Sequence, residues 1–560
     1  MKVDVDIMTP QELAEIAHLA GSADYLAPMA FGPQDGISKF GHDLAAWAPA
    51  LLSADAEILP HKGGLDARSR DLQRNDGYVQ WARNLHQDSI VGSMYTLNSK
   101  PLFKALGRSP EWAEEFQEEV ETLFTLYAES PMKWIDAAGT NDFTSMLRLG
   151  VGVYFQGGEV LTTGEYSRSS QRDFRTMFQM VDCDRLTTPY TYLNDRNTRG
   201  GITHDKFGNP LFAHIKVAHP TDYLRLVGDQ WWRTVPFRKP WGRQQVFFIR
   251  EQQRIDQTRA VSDIVAGLKE IAITRRFRDV VLQNAVVSAL YAATIESELP
   301  SQAVFEQLGA NQGTAGAGVV GYAEEYLGAV ASYAGASKNL MIDGARIPHL
   351  FPGTKLNLHA AGSPGGVGQD FEKSMLRYLS ATLNVSYEEL SRDFSDANYA
   401  SMKGGIAITR RFMKSRKRMV VDNLANGMYR NWLEEAINND KLTTFRKSEA
   451  PILYTNDYLN LMFDALANAD WIGASEGMID ELKETQAAVL RLKTGLSTYE
   501  DELARQGKDW RRVIPQLGRE RKLMIAEGVT VEEDNGVNAA SGTPSEAEDP
   551  SPSKKKAAAQ

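Results

Sequence analysis

Apolar and polar positions alternate along this chain in distinct regimes, and each regime predicts a different kind of element. In "SPEWAEEFQEEVETLFTLYAES" (Ser109 to Ser130) the apolar residues recur at helical spacing. Ser109 is a suitable N-cap, Pro110 takes the first helical position, and carboxylates fill the first turns, where the helix dipole favours them. Upstream, residues 1–60 read as short helices separated by "GPQDG" and proline breaks. Leu65 to Leu97 opens as an arginine-rich helix and ends at Ile90-Val91-Gly92, a turn into a strand. From about Val151 to Val246 the period shortens. "EVLTTGEY", "TMFQMVDCDRL", "GITHDKFGNPLFAHIKV" and "QQVFFI" predict strands. The Gly and Pro chemistry of Asp205 to Pro210 predicts a hairpin loop.

Helical spacing then returns. Ser262 and Asp263 can cap a helix carrying Ile264, Leu268, Ile271, Val281 and Leu290, which Pro300 stops. About 38 residues at 1.5 Å each span roughly 57 Å, which predicts a strut or a coiled assembly. Residues 301–370 turn rich in Gly, Ala and Pro, with one strand-like piece at Thr354 to Leu358. They read as a small module inserted between helical regions. Helices resume from Phe371 to about Val529. The tail beyond has almost no apolar content and predicts disorder. "IAITRRF" occurs at Ile271 to Phe277 and again at Ile406 to Phe412. Coincidence on two amphipathic helices is one reading; no longer period accompanies it, so no solenoid is implied.

The helix beyond Gly404-Gly405 is partitioned. Met413, Val420, Leu424, Met428 and Trp432 fall on one stripe; Lys403, Arg410, Lys414 and Lys417 fall on another. One face packs and one is cationic. Arg410, Arg411, Lys414, Arg416, Lys417 and Arg418 put six basic residues in nine positions with no carboxylate among them. Solvated helix faces normally interleave signs. The alternative to a plain solvated face is a surface held near polyanion or near a neighbouring subunit's acidic groups.

Composition narrows the classes. The chain has 560 residues, enough for roughly three or more domains. A net charge of -10 argues against a wholesale nucleic-acid coat but leaves room for a local basic patch. The single cysteine, Cys183, excludes an internal disulfide framework and fits a reducing compartment. "MKVDVDIMTP" carries charge where a signal peptide needs apolar residues, and no apolar run is long enough to predict a membrane span. "GAGVVG" (Gly316 to Gly321) has the letters of a dinucleotide fingerprint but lacks a preceding hydrophobic strand. His204, Asp205, His214 and His219 lack a further convergent ligand. Trp231, Trp232 and Trp241 beside Arg233, Arg238, Lys239 and Arg243 suit an oligomer interface or stacking on bases. No catalytic residue, metal site or cofactor is expected.

"NVSYEELSRDFSDANYASMKGG" (Asn384 to Gly405) resembles a signature of the lambda-type portal proteins of tailed bacteriophages. "RSRDLQRNDGY…IVGS" (Arg68 to Ser93), "GITHDKFGNPLFAHI" (Gly201 to Ile215) and "LKTGLSTYEDELARQGKDWRRVIPQLGRERKLMIAEGV" (Leu492 to Val529) resemble further stretches of that family in the same order. Ala400-Ser401-Met402-Lys403 departs from the usual Ser-Ser, small residue and Arg, and Gly404-Gly405 replaces helix formers.

The resemblance implies an α+β, multidomain, ring-forming portal fold with a mixed wing, a long-helix stem, a small α/β clip between the stem helices and a helical crown. On this chain it implies an N-terminal arm at 1–60 and a wing at 61–258 with a β-rich second half. The first stem helix falls at 259–299, the clip at 300–370 and the second stem helix at 371–390. A channel loop follows at 391–403, a long wing helix at 404–440, C-terminal wing and crown at 441–530, and a disordered tail at 531–560. The channel loop would present Arg392, Asp393, Phe394, Ser395, Asp396, Asn398, Tyr399 and Lys403, with Gly404 and Gly405 as a hinge. Arg275, Arg276, Arg278, Arg410, Arg411, Lys414 and Lys417 would face DNA or a neighbouring subunit. The implied function is a ring, typically of twelve copies, at one capsid vertex, passing double-stranded DNA during packaging and ejection. Its partners would be itself, the terminase large subunit, major capsid and scaffolding proteins, and head-completion or tail connector proteins, without a membrane. It would assemble in the host cytoplasm and end in the virion. The alternatives are another capsid or tail structural protein and, more remotely, a dinucleotide-dependent enzyme built on "GAGVVG".

Overall fold

The computed structural model describes residues 52–169, 172–222, 231–291, 340–342, 345–347, 367–395, 398–454, 461–477 and 480–528. Most of the expected arm, "GAGVVG", the strand-like Thr354 to Leu358 and the 531–560 tail lie outside them. Residues Met1–Glu57 form one compact unit and Ile58–Gln560 another; apart from the first turn of the opening helix, all of the elements below belong to the second.

Helices α1 (Ala54–Asn75) and α2 (Gly77–Ile90) are separated by Asp76, whose carboxylate caps α2 by accepting from the Tyr78 and Val79 amides. Gly92 (φ +76°) then turns the chain into strand β1 (Thr96–Ser99), and a Cβ there would lie 2.8 Å from the Ala474 backbone. Helix α3 (Pro110–Ala128) begins as its sequence predicts: Ser109 Oγ accepts from the Trp112 amide at 3.3 Å. Its apolar stripe of Phe116, Val120, Phe124 and Tyr127 is buried. Helix α4 spans Phe143–Gly157. The β-rich region therefore starts later than Val151, because Val151, Tyr154 and Phe155 pack as a helical face.

Strand β2 (Glu159–Tyr166) lies between β3 (Thr176–Val181) and β8 (Val246–Arg250), all antiparallel. A second sheet orders β4 (Thr198–Arg199), β5 (Ile202–His204), β6 (Pro210–Lys216) and β7 (Trp232–Pro236). The β5–β6 hairpin forms as expected. Asp205 Oδ1 accepts from the Phe207 and Asn209 amides at 2.8 Å, and Gly208 supplies φ +84°. Strand β7 arises within the Trp- and Arg-rich stretch read as an oligomer interface or a base-stacking surface.

Arg259 and Glu159 bind β2 to the start of the next region. Arg259 Nε donates to Glu159 at 3.0 Å, Nη1 to Leu186 O at 2.8 Å and Nη2 to Cys183 O at 2.9 Å. Lys62 Nζ adds Ala260 O at 2.7 Å and Glu159 at 3.4 Å. Burial pushes the Glu159 carboxyl up, but Arg259 and Lys62 outweigh it and hold the group below the ordinary range. Ser262 then caps a 3-10 turn, Asp263–Gly267, by accepting from the Ile264 amide. Helix α5 (Leu268–Tyr291) follows, so the expected long helix starts one turn later than Ser262. Strands β9 (Leu340–Ile342) and β10 (Ala345–Ile347) form an antiparallel pair. Helix α6 (Val367–Thr382) returns antiparallel to α5: Phe277 meets Phe371 at 5.0 Å, Arg278 pairs with Glu372 at 2.7 Å, and Gly267 abuts Thr382.

Short α7 (Tyr387–Ser391) leads to α8 (Tyr399–Arg416), which passes through a π-helical segment, Lys417–Asp422, into α9 (Asn423–Asn438). Met413, Val420, Leu424, Met428 and Trp432 are all buried, as their spacing predicts. Trp432 packs 5.2 Å from Phe124 and Phe174 in the aromatic centre of the main core. After α10 (Leu461–Leu466), β11 (Ala469–Ile472) pairs antiparallel with β1, Thr96 opposite Ile472. This strand falls in a region where the spacing predicts mainly helices. Helices α11 (Glu481–Lys493), α12 (Tyr499–Arg505) and α13 (Trp510–Ala526) end the described chain.

Candidate functional site

The candidate loop starts where α7 stops. Arg392 ends that helix with φ +56°, its amide donating to Glu388 O at 2.9 Å. Its guanidinium carbon stands 3.6 Å from the Trp81 ring centroid. Trp81 is held in turn by its Nε1–H, which donates to Glu389 O at 2.7 Å. Asp393 accepts from the Ser395 hydroxyl at 2.6 Å and amide at 3.1 Å, which lowers its pKa. Phe394 is 49% exposed. Asp396 lies outside the described residues. Asn398 caps α8, accepting from the Ser401 amide at 2.8 Å, while Ser401 Oγ accepts from the Asn398 amide.

That cap corrects the expected boundary. The helix begins at Tyr399, so Tyr399 and Lys403 belong to it, and Gly404 and Gly405 sit inside it rather than at a break. A Cβ on Gly404 would meet nothing within 4 Å; one on Gly405 would lie 3.2 Å from the Ser386 Cβ. In this structure the pair breaks no helix.

The six clustered cations divide into two populations. Arg416 points into the protein: Nη2 donates to Asp263 at 2.8 Å, Nη1 reaches Glu251 at 3.2 Å, and the guanidinium stacks 4.8 Å from both Tyr154 and Phe412. Lys417 also turns inward, to Asp422 at 3.2 Å and Trp471 O at 2.9 Å. Its expected place on the cationic face is therefore corrected. Arg410 is half-buried and donates to Gly477 O at 3.0 Å. Arg411, Lys414 and Arg418 are exposed on one face of the helix. Lys403 is exposed too and acts electrostatically on Asp480. On α5, Arg275 lies 4.0 Å from Asp71, Arg276 is exposed, and Arg278 pairs with Glu372 while stacking 4.5 Å from Tyr78.

Sequence reasoning missed the network behind Arg416. His86 is buried, its Nε2 3.0 Å from Leu383 O and its ring 4.9 Å from Phe155. Burial, with a contribution from Arg416, pushes its pKa down to about 4. Burial raises the Asp263 carboxyl against the pull of Arg416. Together Arg416, Asp263, Tyr154 and His86 lock the foot of α5 to α2, α4 and α8. Only the position of Arg416, three residues after core Met413, signalled this.

The histidines hold structure. His214 is buried between Thr203 Oγ1 at 2.8 Å and Thr234 Oγ1 at 3.0 Å. His219 converges with Asp182 and Asp184, each offering a ligand atom within 4.8 Å of the others. The Arg70 guanidinium already bridges both of those carboxylates. The Trp/Arg stretch is also largely used within the chain. Trp232 Nε1 donates to Thr187 O at 3.1 Å, Arg233 pairs with Glu165, and Arg243 joins Glu434 to Thr176 at 3.0 Å each. Trp241 stays 54% exposed. Among the described residues no helix is long and apolar enough to cross a membrane.

The class of this protein, a phage portal subunit, is given by its family and its sequence relatives. The chain belongs to the lambda family of phage portal proteins, whose description matches residues 40–417. It is 34% identical over 499 residues to portal protein B of Escherichia phage lambda, covering 89% of this chain and 91% of that protein. It is equally 34% identical, with the same coverage, to the portal protein of Escherichia phage N15. Among solved structures, a chain from the neck of an empty GTA particle aligns over 79% of this chain and 93% of that one. Its identity is 10% and its TM-score 0.35.

Proposed function

We propose that this chain is the repeating subunit of a closed ring of about twelve copies at one capsid vertex, through which double-stranded DNA enters and leaves. The observation that carries the reading is the family match together with 34% identity over 499 residues. The geometry supports it. Stem helices α5 and α6 leave Ile273, Val280, Leu282, Phe371 and Tyr378 exposed, apolar area that a single copy does not cover. Arg411, Lys414 and Arg418 give each copy a confined cationic strip on an acidic chain. A conduit must pass DNA without gripping it; a wholly basic wall would bind through counterion release at every phosphate.

In this reading 61–258 is the wing, 259–299 and 371–390 the stem, 300–370 the clip, 391–398 the channel loop, 399–440 the long wing helix and 441–530 the C-terminal wing and crown. Arg392, Asp393, Phe394, Ser395, Asp396 and Asn398 form the loop at the passage, with Tyr399 and Lys403 at the start of the helix behind it. Gly404 and Gly405 let α8 bend when the loop moves. The ring is structural and performs no catalysis. It docks the terminase large subunit, then head-completion or tail connector proteins, within a shell of capsid and scaffolding proteins. It assembles in the host cytoplasm and remains in the virion. Native mass spectrometry and electron microscopy of the purified protein test this: rings with a central hole are expected. A monomer, dimer or flat sheet under every condition, including co-expression with the shell, would overturn it.

A further inference from the structure

A pocket of about 420 Å³ opens between α2, α5 and α7, walled by Gly77, Tyr78, Trp81, Arg278, Leu390 and Arg392. That is within the range of small-ligand sites and spacious for an aromatic ring. Its walls combine apolar faces with guanidinium groups stacked on Trp81 and Tyr78. The two charges differ in state. Arg278 is neutralised by Glu372 at 2.7 Å. Arg392 has no carboxylate partner among the described residues. Two residues beyond Arg392 the same loop exposes Phe394, which is no part of the pocket wall, with Asp393 beside it. Each copy thus carries an aromatic–carboxylate pair and a receptor of complementary chemistry.

Resting on the ring reading above, we propose that the pocket receives Phe394 of the next copy. Its ring fills the space against Tyr78, Trp81 and Leu390, and its Asp393 faces Arg392. The contact is heterologous, as ring closure requires: one face gives, a different face accepts, and repetition closes the circle. Receptor wall and inserted residue lie within five positions of one another, Leu390 to Phe394, so copies stepping round an axis bring the two together at short range. A base from the DNA is the poorer occupant. In a duplex its faces are stacked and its edges paired, and extruding it costs energy.

The test uses the full chain with Gly77→Cys and Phe394→Cys combined. Gly77 has nothing within 4 Å of a built Cβ, and the natural Cys183 is buried, so background coupling is low. Under mild oxidation, or with a short thiol-specific cross-linker, assembled rings of the double variant should give a denaturing-gel ladder of covalent multimers. Neither single variant should do so. Phe394→Ala should raise the protein concentration needed for assembly about tenfold or more, since an anchor ring is lost; Phe394→Leu should largely preserve it. Rings that form normally but give no ladder, or Phe394→Ala rings that assemble at wild-type concentration, overturn the proposal. Phe394→Ala particles that assemble normally but cross-link differently to DNA assign the residue to the duplex instead, and overturn it too. Absence of wild-type rings removes the ring reading itself, a distinct result.

Discussion

At the scale of single residues, the groups that matter most are charges held out of water. Arg416 is 7% exposed on its side chain and pairs with Asp263, whose carboxyl burial pushes up against the pull of that guanidinium. Truncating one member of such a pair strands the other, typically at about 3–5 kcal/mol. Arg416→Met should therefore lower the urea midpoint at unchanged m-value; a loss under about 1 kcal/mol would show that water replaces the guanidinium. Glu121 is the opposite case. Its Oε1 accepts from the Ser99 amide at 2.8 Å with Arg511 3.7 Å away, yet burial dominates and raises its pKa to about 7. Between its unfolded pKa near 4.5 and that value the native state holds the extra proton, so this group's contribution to stability falls as pH rises through the window. Glu121→Gln should raise the melting temperature at pH 8, by up to about 3 kcal/mol in stability, and the gain should vanish only below about pH 4. His86 has the reverse sign. Native His86 stays neutral down to about pH 4, so its stabilisation is present above pH 6.5 and is lost as pH falls toward 4. With Glu121 replaced, the acid limb of the stability curve should steepen, because the opposing term is gone. A flat profile from pH 6.5 to 4 in that variant would contradict the burial of His86.

At the scale of elements, the helices were legible where a cap or an apolar stripe marks them, and illegible where packing overrides the period. Ser109 and the 413–432 stripe did what their spacing requires. The Asp205–Asn209 turn was written in its side-chain chemistry. Strands β7 and β11 were not readable: Trp232–Pro236 carries exposed polar positions, and Ala469–Ile472 forms only because β1, far away in sequence, offers an edge. The expected cationic stripe keeps Lys403 and Lys414 exposed but loses Lys417, for a local reason. Arg416 and Lys417 follow core Met413 by three and four positions, which places them on the packing side, and the π-helical turn Lys417–Asp422 shifts the register there. Glycines suggested a break at 404–405, but the Asn398–Ser401 capping box starts the helix earlier and carries it through. This makes the substitution informative. Gly404→Ala has open space around it and should stabilise α8 by about 0.5–1 kcal/mol. Gly405→Ala should gain less, because Ser386 must yield. If α8 has to bend there during DNA passage, Gly404→Ala particles will form rings with higher melting temperature yet package less DNA. Wild-type packaging yield would remove the hinge from the proposed function.

At the scale of the whole molecule, a chain of net charge -10 leaves Arg411, Lys414 and Arg418 exposed on one helical face. Within one copy this is a weak feature, since surface charges contribute about 0–1 kcal/mol each. Symmetry changes the arithmetic: a ring presents the strip once per subunit, and contacts made together add in a single event. Two destinations compete, phosphates in the channel or carboxylates of the next copy, and they separate experimentally. Replacing all three by Gln should leave the isolated fold unchanged within about 0.5 kcal/mol, because none has a buried partner among the described residues. If the strip meets DNA, ring assembly will match wild type, while retention of packaged DNA will weaken and its salt dependence will flatten, as fewer phosphates are neutralised. If it meets a neighbour, assembly will require higher protein concentration and become less sensitive to salt, because the screened attraction has been removed. Adding Arg410 and Lys417 to the set should instead destabilise the fold, since both are bonded within the chain. A triple variant indistinguishable from wild type in assembly and in DNA retention would make the strip ordinary solvated surface, and the channel electrostatics would then have to come from elsewhere in the ring.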